Sequence, residues 1–141
     1  MEVMEVMIEE GAYAPARAHA TDAGLDLRTP EDVRIWPGGS AVIDTRVHIR
    51  LPEGTVGLVK NLSGLNIRRG LVTCGDGVID EGYTGSIRVK LYNLSSEVIW
   101  LEPGDRIAQL VVVPVRYETV QLVGRLPETE RGNAGFGSTG R

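Results

Sequence analysis

Apolar and polar residues alternate along this chain in short runs that end at glycine or proline before they become long. Period-two runs broken in this way predict short, half-buried strands. The first covers residues 3–8 and is closed by Gly11 and Pro15. Residues 18–28 are a second extended piece, in which Leu25 and Leu27 alternate with Asp26, so one face is apolar and the other carries a carboxylate. Residues 33–36, a Pro37-Gly38-Gly39 turn and residues 41–51 read as strand, turn and strand, with Val47, Ile49 and Leu51 on one face. Proline followed by glycine suits the centre of a type II turn. A turn at residues 51–54 leads into a short apolar strand at 55–59, and a similar strand, Pro-Gly and strand pattern returns at 98–105 and continues through 107–115. The intervals are irregular, so the pattern predicts a meander or jelly roll of short strands and no true repeat. Only residues 63–69 look helical, with Ser63 as N-cap and Arg68 and Arg69 at the negative end of a helix of at most about two turns.

One stretch has a different character. Residues 75–85 place Asp80 at the end of an apolar run between closely spaced glycines, which reads as a hairpin around a pocket, flanked by strands at 71–73 and 86–93. Gly75, Gly77, Gly82 and Gly85 let backbone approach a flat ligand, and Val78 and Ile79 make the approach to Asp80 apolar. A partly desolvated carboxylate is pushed towards the range of a general base on water. The plainer reading is an Asx-turn in an ordinary hairpin.

Length and composition fit a single domain. The chain has 141 residues, is 42% hydrophobic and 24% charged, and carries 18 Gly and 7 Pro, which favours a turn-rich β structure. Residues 1–130 are expected to form the domain and 131–141 a mobile tail, because the tail has too few apolar groups to offset its ordering entropy. A net charge of −4 argues against binding duplex nucleic acid. Cys74 is the single cysteine, and His19 and His48 lie far from any ligand spacing, so neither an intrachain disulfide nor a structural zinc is expected. The acidic start lacks the marks of a signal peptide or membrane span, so the expectation is a soluble cytoplasmic protein.

Candidate binding chemistry lies outside the hairpin as well. Phe136, the one phenylalanine, sits between glycines in the tail, where Arg131 offers a bidentate fork to phosphate and Gly137, Ser138 and Thr139 offer a nest of donors. Ser63 and Gly64 offer helix N-terminal amides to an anion, with a structural cap as the alternative. Gln109 is a possible phosphate donor or simply a satisfied strand side chain. No Gly-rich loop followed by Lys and Ser or Thr is present, and no nucleophile elbow.

Taken in order, five stretches resemble the five motifs of the trimeric deoxyuridine triphosphatases (dUTPases): Ala23-Gly24-Leu25-Asp26-Leu27, Ser63-Gly64-Leu65, residues 77–85, residues 104–110, and residues 131–140. The resemblance implies a jelly-roll-like β barrel, assembled as a homotrimer whose active sites draw on all three subunits, that hydrolyses dUTP to dUMP and pyrophosphate. Such an enzyme limits uracil in DNA and supplies dUMP for thymidylate synthesis. By the same resemblance Asp80 activates the attacking water and Tyr83 packs against deoxyribose, leaving no room for a 2′-hydroxyl. Phe136 covers the uracil, and Ser63, Gly64, Gln109 and Arg131 contact phosphate. Leu62, Cys74, Gly75, Gly77, Val78, Ile79, Arg88, Gly137 and Ser138 complete the expected substrate contacts. Mg2+ is held mainly by substrate phosphates and water, with Asp26 beside it. Two positions depart from the family pattern. Leu62 stands where an Arg or Lys is usual, with Lys60, Arg68 and Arg69 as possible substitutes, and Cys74 stands where many bacterial members have Asn. The alternatives are a non-catalytic binding protein of the same fold and a dCTP deaminase, the latter disfavoured because Lys90 occupies the place of that family's catalytic Glu.

Overall fold

The computed structural model describes residues 3–73 and 77–140, which form eleven strands and one short wide helical turn. The strands are β1 (Glu5–Ile8), β2 (Gly24–Arg28), β3 (Val33–Ile35), β4 (Ser40–Asp44), β5 (Val47–Arg50), β6 (Thr55–Lys60), β7 (Leu71–Val72), β8 (Gly77–Ile79), β9 (Arg88–Asn93), β10 (Ile99–Leu101) and β11 (Arg106–Pro114). They pair antiparallel in four sheets: β2-β11-β6-β8, β4-β9-β7, β1-β5 and β3-β10. The expected all-β, jelly-roll-like architecture is present, although these pairings do not close into a barrel. No helix among the described residues is long and apolar enough to cross a membrane.

Alternation places the core. On β6 the residues Thr55, Gly57 and Val59 are buried, on β9 Val89, Leu91 and Asn93, and on β5 Val47 and Ile49 followed by Leu51. Of these, the apolar residues meet Leu27, Ile43, Ile79, Ile87, Ile107 and Leu110 in one cluster, each large side chain contributing about 1.5–3 kcal/mol by leaving water.

Both Pro-Gly turns are of the expected kind, but neither closes a hairpin. Gly39 N–H donates to Trp36 O at 2.9 Å and Asp105 N–H to Glu102 O at 3.0 Å, with Gly38 and Gly104 at φ 72° and 91°. Such values suit glycine at the third position of a type II turn. Instead of folding strands onto each other, the turns carry the paired strands β3 and β10 onward to different sheets, to β4 and β11. The strand expected over 41–51 is likewise broken. Thr45 is buried with its hydroxyl on Ile87 O at 2.6 Å, Arg46 takes φ 57°, and the Asp44 carboxylate accepts Arg46 N–H at 2.9 Å. The extended piece expected from residue 18 begins only at Gly24, because a turn in which Asp22 accepts His19 N–H precedes it. The helical segment is a single π-type turn at Leu65–Arg69, with Gly64 at the N-cap position and no side-chain cap. Ser63 is therefore not the cap that the sequence suggests.

The corner where β9 ends depends on Asn93, which is fully buried. Its amide donates to Ile35 O at 2.9 Å and Glu97 O at 2.7 Å, and its carbonyl accepts Ser95 N–H and the Ser95 hydroxyl. Removing these bonds leaves buried carbonyls without a donor. Asn93→Leu is expected to lower stability by about 3 kcal/mol, read as a lower urea midpoint at unchanged slope.

Candidate functional site

Strand β11 pairs on both edges, so a residue on it aligns two neighbours at once. Gln109 stands opposite Asp26 on β2 and opposite Lys60 on β6, which sets three polar side chains in a row on the face turned away from the core. A bulge between Arg106 and Ala108 sets this register, turning both Ile107 and Ala108 inward. The Gln109 amide donates to Asn61 O at 2.8 Å, and its side chain passes over Gly24 so closely that a Cβ there would overlap it. The Asp26 carboxylate is 12% exposed and meets Arg106 Nη1 only at 3.5 Å.

Beyond β6, the Asn61 side chain accepts Thr73 N–H at 2.6 Å and fixes the departure of the chain into residues 62–64. There Leu62, Ser63 and Gly64 line a cleft of about 550 Å³ with Leu65, Arg68, Arg69, Leu101, Asp105 and Arg106. Ser63 is exposed and its hydroxyl has no partner among the described residues. Arg69 donates to Trp100 O at 3.3 Å, whereas Arg68 is not engaged by any described residue. Three guanidinium groups thus border a cleft from which a cation at position 62 is missing.

A second cleft of about 250 Å³ is lined by Val59, Gly77, Val78, Ile79, Asp80, Tyr83, Ser86, Ile87 and Arg88. The segment between β8 and β9 is a crossing between sheets and not the hydrogen-bonded hairpin the sequence suggests, since β8 pairs with β6 and β9 with β4 and β7. Tyr83 N–H donates to Asp80 O at 3.0 Å, and the Tyr83 ring folds back so that its hydroxyl donates to Ser86 O at 3.0 Å. A Cβ on Gly85 would lie 2.6 Å from the ring, so glycine is required there. The Ser86 hydroxyl donates to the Asp44 carboxylate and is the main reason that carboxyl sits below its ordinary range, against the opposing effect of burial.

Asp80 stands on the ridge between this cleft and a third hollow of about 440 Å³ lined by Thr55, Val56, Glu81, Gly82, Val115 and Tyr117. It is exposed, and its carboxylate has no hydrogen bond or ion pair with a described residue. The burial that the apolar approach suggested is not supplied by its own chain: Ile79 turns into the core, while Val78 stays 60% exposed. Next to it the Glu81 carboxylate accepts Gly54 N–H at 2.6 Å and the Tyr117 hydroxyl at 2.8 Å. Those two donors, the backbone one first, pull the Glu81 pKa down, and the same bond raises that of Tyr117. The segment leaving the body after β11 is thereby fastened beside Asp80. Sequence reasoning missed Glu81, Tyr117, Asp44 and Asn61 as site supports, and no local pattern announces pairs 36 or 42 residues apart.

The remaining candidates are not brought to either cleft. Residues 116–140 are exposed throughout except at Gly135, which is half-buried. Arg131 Nε donates to Ala134 O at 2.8 Å, Ser138 N–H to Gly135 O at 3.2 Å, and Phe136 is wholly exposed at φ 50° with Gly137 at 92°. Cys74 and Gly75 lie outside the described residues. The Ser63 cleft and the Asp80 cleft share no lining residue.

The dUTPase family model matches residues 10–140. A deoxyuridine 5′-triphosphate nucleotidohydrolase of Clostridium kluyveri is 42% identical, covering 99% of both chains, and one of Corynebacterium jeikeium is 46% identical over 96% of this chain and 90% of its own. Among solved structures, a dUTPase variant of Staphylococcus bacteriophage 80alpha with dUpNHpp superposes with TM-score 0.93 at 31% identity over the whole of both chains. A dUTPase variant of S. aureus phage phi11, described as coordinating a structural Mg(II) ion, has TM-score 0.81 at 30% identity over 88% of this chain and 98% of its own.

Gly24 and Gln109 provide a test of the row that does not depend on activity. Gly24→Ala is expected to cost about 1–3 kcal/mol by expelling the Gln109 side chain. Adding Gln109→Ala to it should recover part of the loss, measured as non-additivity in thermal or urea unfolding.

Proposed function

This chain belongs to the dUTPase family, and we propose that it hydrolyses dUTP to dUMP and pyrophosphate as a homotrimer with shared active sites. The observation that carries this reading is the division of the site. A small cleft with a carboxylate that has no partner among the described residues, a larger cleft bordered by three arginines, and an arm bearing Arg131 and Phe136 are all present but kept apart in one chain. Three copies bring one of each together. The segment that leads to the arm supports this reading further, since Val120, Leu122 and Leu126 are 83%, 92% and 78% exposed, an apolar surface that calls for a neighbour to cover it.

In the assembled site the uracil and deoxyribose enter the cleft of Val78, Ile79 and Tyr83. Backbone groups at Gly77 and around Cys74 and Gly75 read the base edge, and the Tyr83 ring, held by Ser86 and Gly85, fills the place of a 2′-hydroxyl. Arg88 lines the same cleft. Asp80, with no partner among the described residues to compete, accepts a proton from the water that attacks the α-phosphate. A positioned general base is worth roughly 10²–10⁴ in rate, so alignment and charge stabilisation supply the rest. Ser63, Gly64, Gln109 and Arg131 hold the phosphates, and Arg68 compensates for Leu62. The described residues contain no cluster of three or more His, Cys, Asp or Glu able to hold a metal. A magnesium ion would be held mainly by phosphate oxygens and water, with Asp26 reaching it through a bound water. When bound, that ion supplies charge neutralisation on the triphosphate. Residues 1–130 are the body, and the arm at 131–141, with Phe136 over the uracil and Gly137 and Ser138 at the phosphates, closes the site and excludes water. A cytoplasmic location suits an enzyme acting on free nucleotides.

The direct test is pyrophosphate release over a panel of nucleoside triphosphates, with dUTP expected to be turned over and dCTP, dTTP and UTP rejected. No release from dUTP with magnesium would overturn the reaction. Asp80→Ala and a chain lacking residues 131–141 should each be inactive alone, and mixing the two after dissociation should restore turnover, because mixed trimers contain sites with both an intact Asp80 and an arm. Arg68→Ala should raise KM for dUTP by roughly tenfold with kcat nearly unchanged, as loss of one charge-assisted contact made equally in ground and transition states.

A further inference from the structure

His48 lies on β5 with Val47 and Ile49 turned into the core on either side, so its ring faces outward and is 20% exposed. Both ring nitrogens meet oxygen acceptors at 2.8 Å: Nδ1 the backbone carbonyl of Thr84, and Nε2 the Glu9 carboxylate. Neither acceptor can donate while Glu9 is ionised. A neutral imidazole has one N–H, and its other nitrogen would set a lone pair against an oxygen; satisfying both contacts requires the imidazolium. Glu9 is itself fixed, since it follows β1 and its N–H donates to Arg46 O at 3.0 Å. Thr84 lies between Tyr83 and Gly85, in the loop whose shape sets the Tyr83 ring over the cleft.

We propose that His48 is a positioning residue: as an imidazolium it ties the loop that carries Tyr83 to the end of β1, and so governs how strictly the cleft distinguishes deoxyribose from ribose. This rests on the reading of Tyr83 given above. The charged groups around the ring agree with the geometry. The Glu9 carboxylate contributes most to raising the pKa of His48 above its ordinary 6.5, followed by the Thr84 carbonyl; Asp44 on β4 adds a smaller effect in the same direction, and partial burial opposes them. Met7 on β1 stands opposite His48, Glu9 just after β1 meets its ring, and the Tyr83 loop meets it through the Thr84 carbonyl. Because the folded pKa lies above the unfolded one, the tether is complete below about pH 6.5 and is lost as pH rises through the folded value. On deprotonation the remaining N–H is best used on the carboxylate, the stronger acceptor. Thr84 is then the contact released, and Tyr83 loosens with it.

Nitrogen-15 spectra of the histidine rings in the full chain, recorded across pH with the backbone amides of Tyr83 and Thr84, test the tether without substrate. Both nitrogens of His48 should be protonated up to a pKa above 6.5, and the two amides should shift in the same step. Affinities for dUMP and UMP, measured by calorimetry over the same range, test the consequence. The preference for dUMP should fall about threefold to fivefold through that step; His48→Gln should remove the step, and Glu9→Gln should move it to lower pH. A singly protonated ring below pH 6.5, amides that ignore the His48 titration, or a His48→Gln variant with the original step would each overturn the proposal. Failure of dUTP turnover with the amide and affinity steps intact would count against the reaction proposed above and leave the tether standing.

Discussion

The double pairing of β11 is the constraint from which the rest of the architecture follows. A strand bonded along both edges cannot slip by one residue without turning its whole apolar set outward. Its register therefore fixes β2 and β6 together, and with them Asp26, Gln109 and Lys60. The bulge at its start adds the one residue needed to bury Ile107 and Ala108 consecutively while Gln109 still points to the outer face. Gly24 is part of the same constraint, because Gln109 reaches Asn61 only by crossing a position that has no Cβ. Through Asn61, whose side chain is bonded to Thr73, this order extends into the loop that presents Ser63.

Period-two alternation made the strands legible, and it made Val47, Ile49 and Leu51 legible as core, because burial on one face is written in the order of residues. The two Pro-Gly turns were legible for the same local reason. What strand pairs with what was not. A Pro-Gly turn looks the same whether it closes a hairpin or sends its strand to another sheet, and the choice here is made by partners far along the chain, such as Asn93 bonding Ile35 and Glu97. The break at Thr45–Arg46 escaped notice because a buried threonine bonded to Ile87 O, 42 residues away, leaves no sign in alternation. At the candidate site, the residues proposed to touch a ligand are the ones that carry motifs. Those that hold them in place, Glu81, Tyr117, Asp44 and His48, were not legible, since each acts through a long-range bond.

A chain of this size gains from leaving its site divided. Gathering Asp80, the arginines around Ser63 and the Arg131-bearing arm within a single subunit would require burying charges whose mutual attraction seldom repays their desolvation. Spread over the surface, these groups stay hydrated: Asp80 and Arg68 have no hydrogen-bond or ion-pair partner among the described residues, and Phe136 lies wholly in solvent. In the proposed trimer, assembly would order them at a place where the triphosphate supplies the charge that compensates the arginines. Glu81 contributes to this economy by holding Tyr117 beside Asp80, so that the segment leading to the arm starts from a fixed point.

On the proposed reaction, the exposure of Asp80 in the single chain has a further consequence. A carboxylate becomes a better base when water is removed from around it, but the same removal in the absence of substrate would destabilise the protein. If its own strand buried Asp80, that cost would fall on folding. Here the missing cover is of the kind that a nucleotide and a closing arm provide, so desolvation falls on the bound state and is set against binding energy from the base and phosphates. The substrate with the most complete set of contacts then activates its own hydrolysis best. Tyr83 is the part of that set held from outside the cleft, by Ser86 on one side and through Thr84 by His48 on the other. Discrimination at the sugar and activation at the phosphate are thereby linked through the segment 80–86, whose first residue is the base.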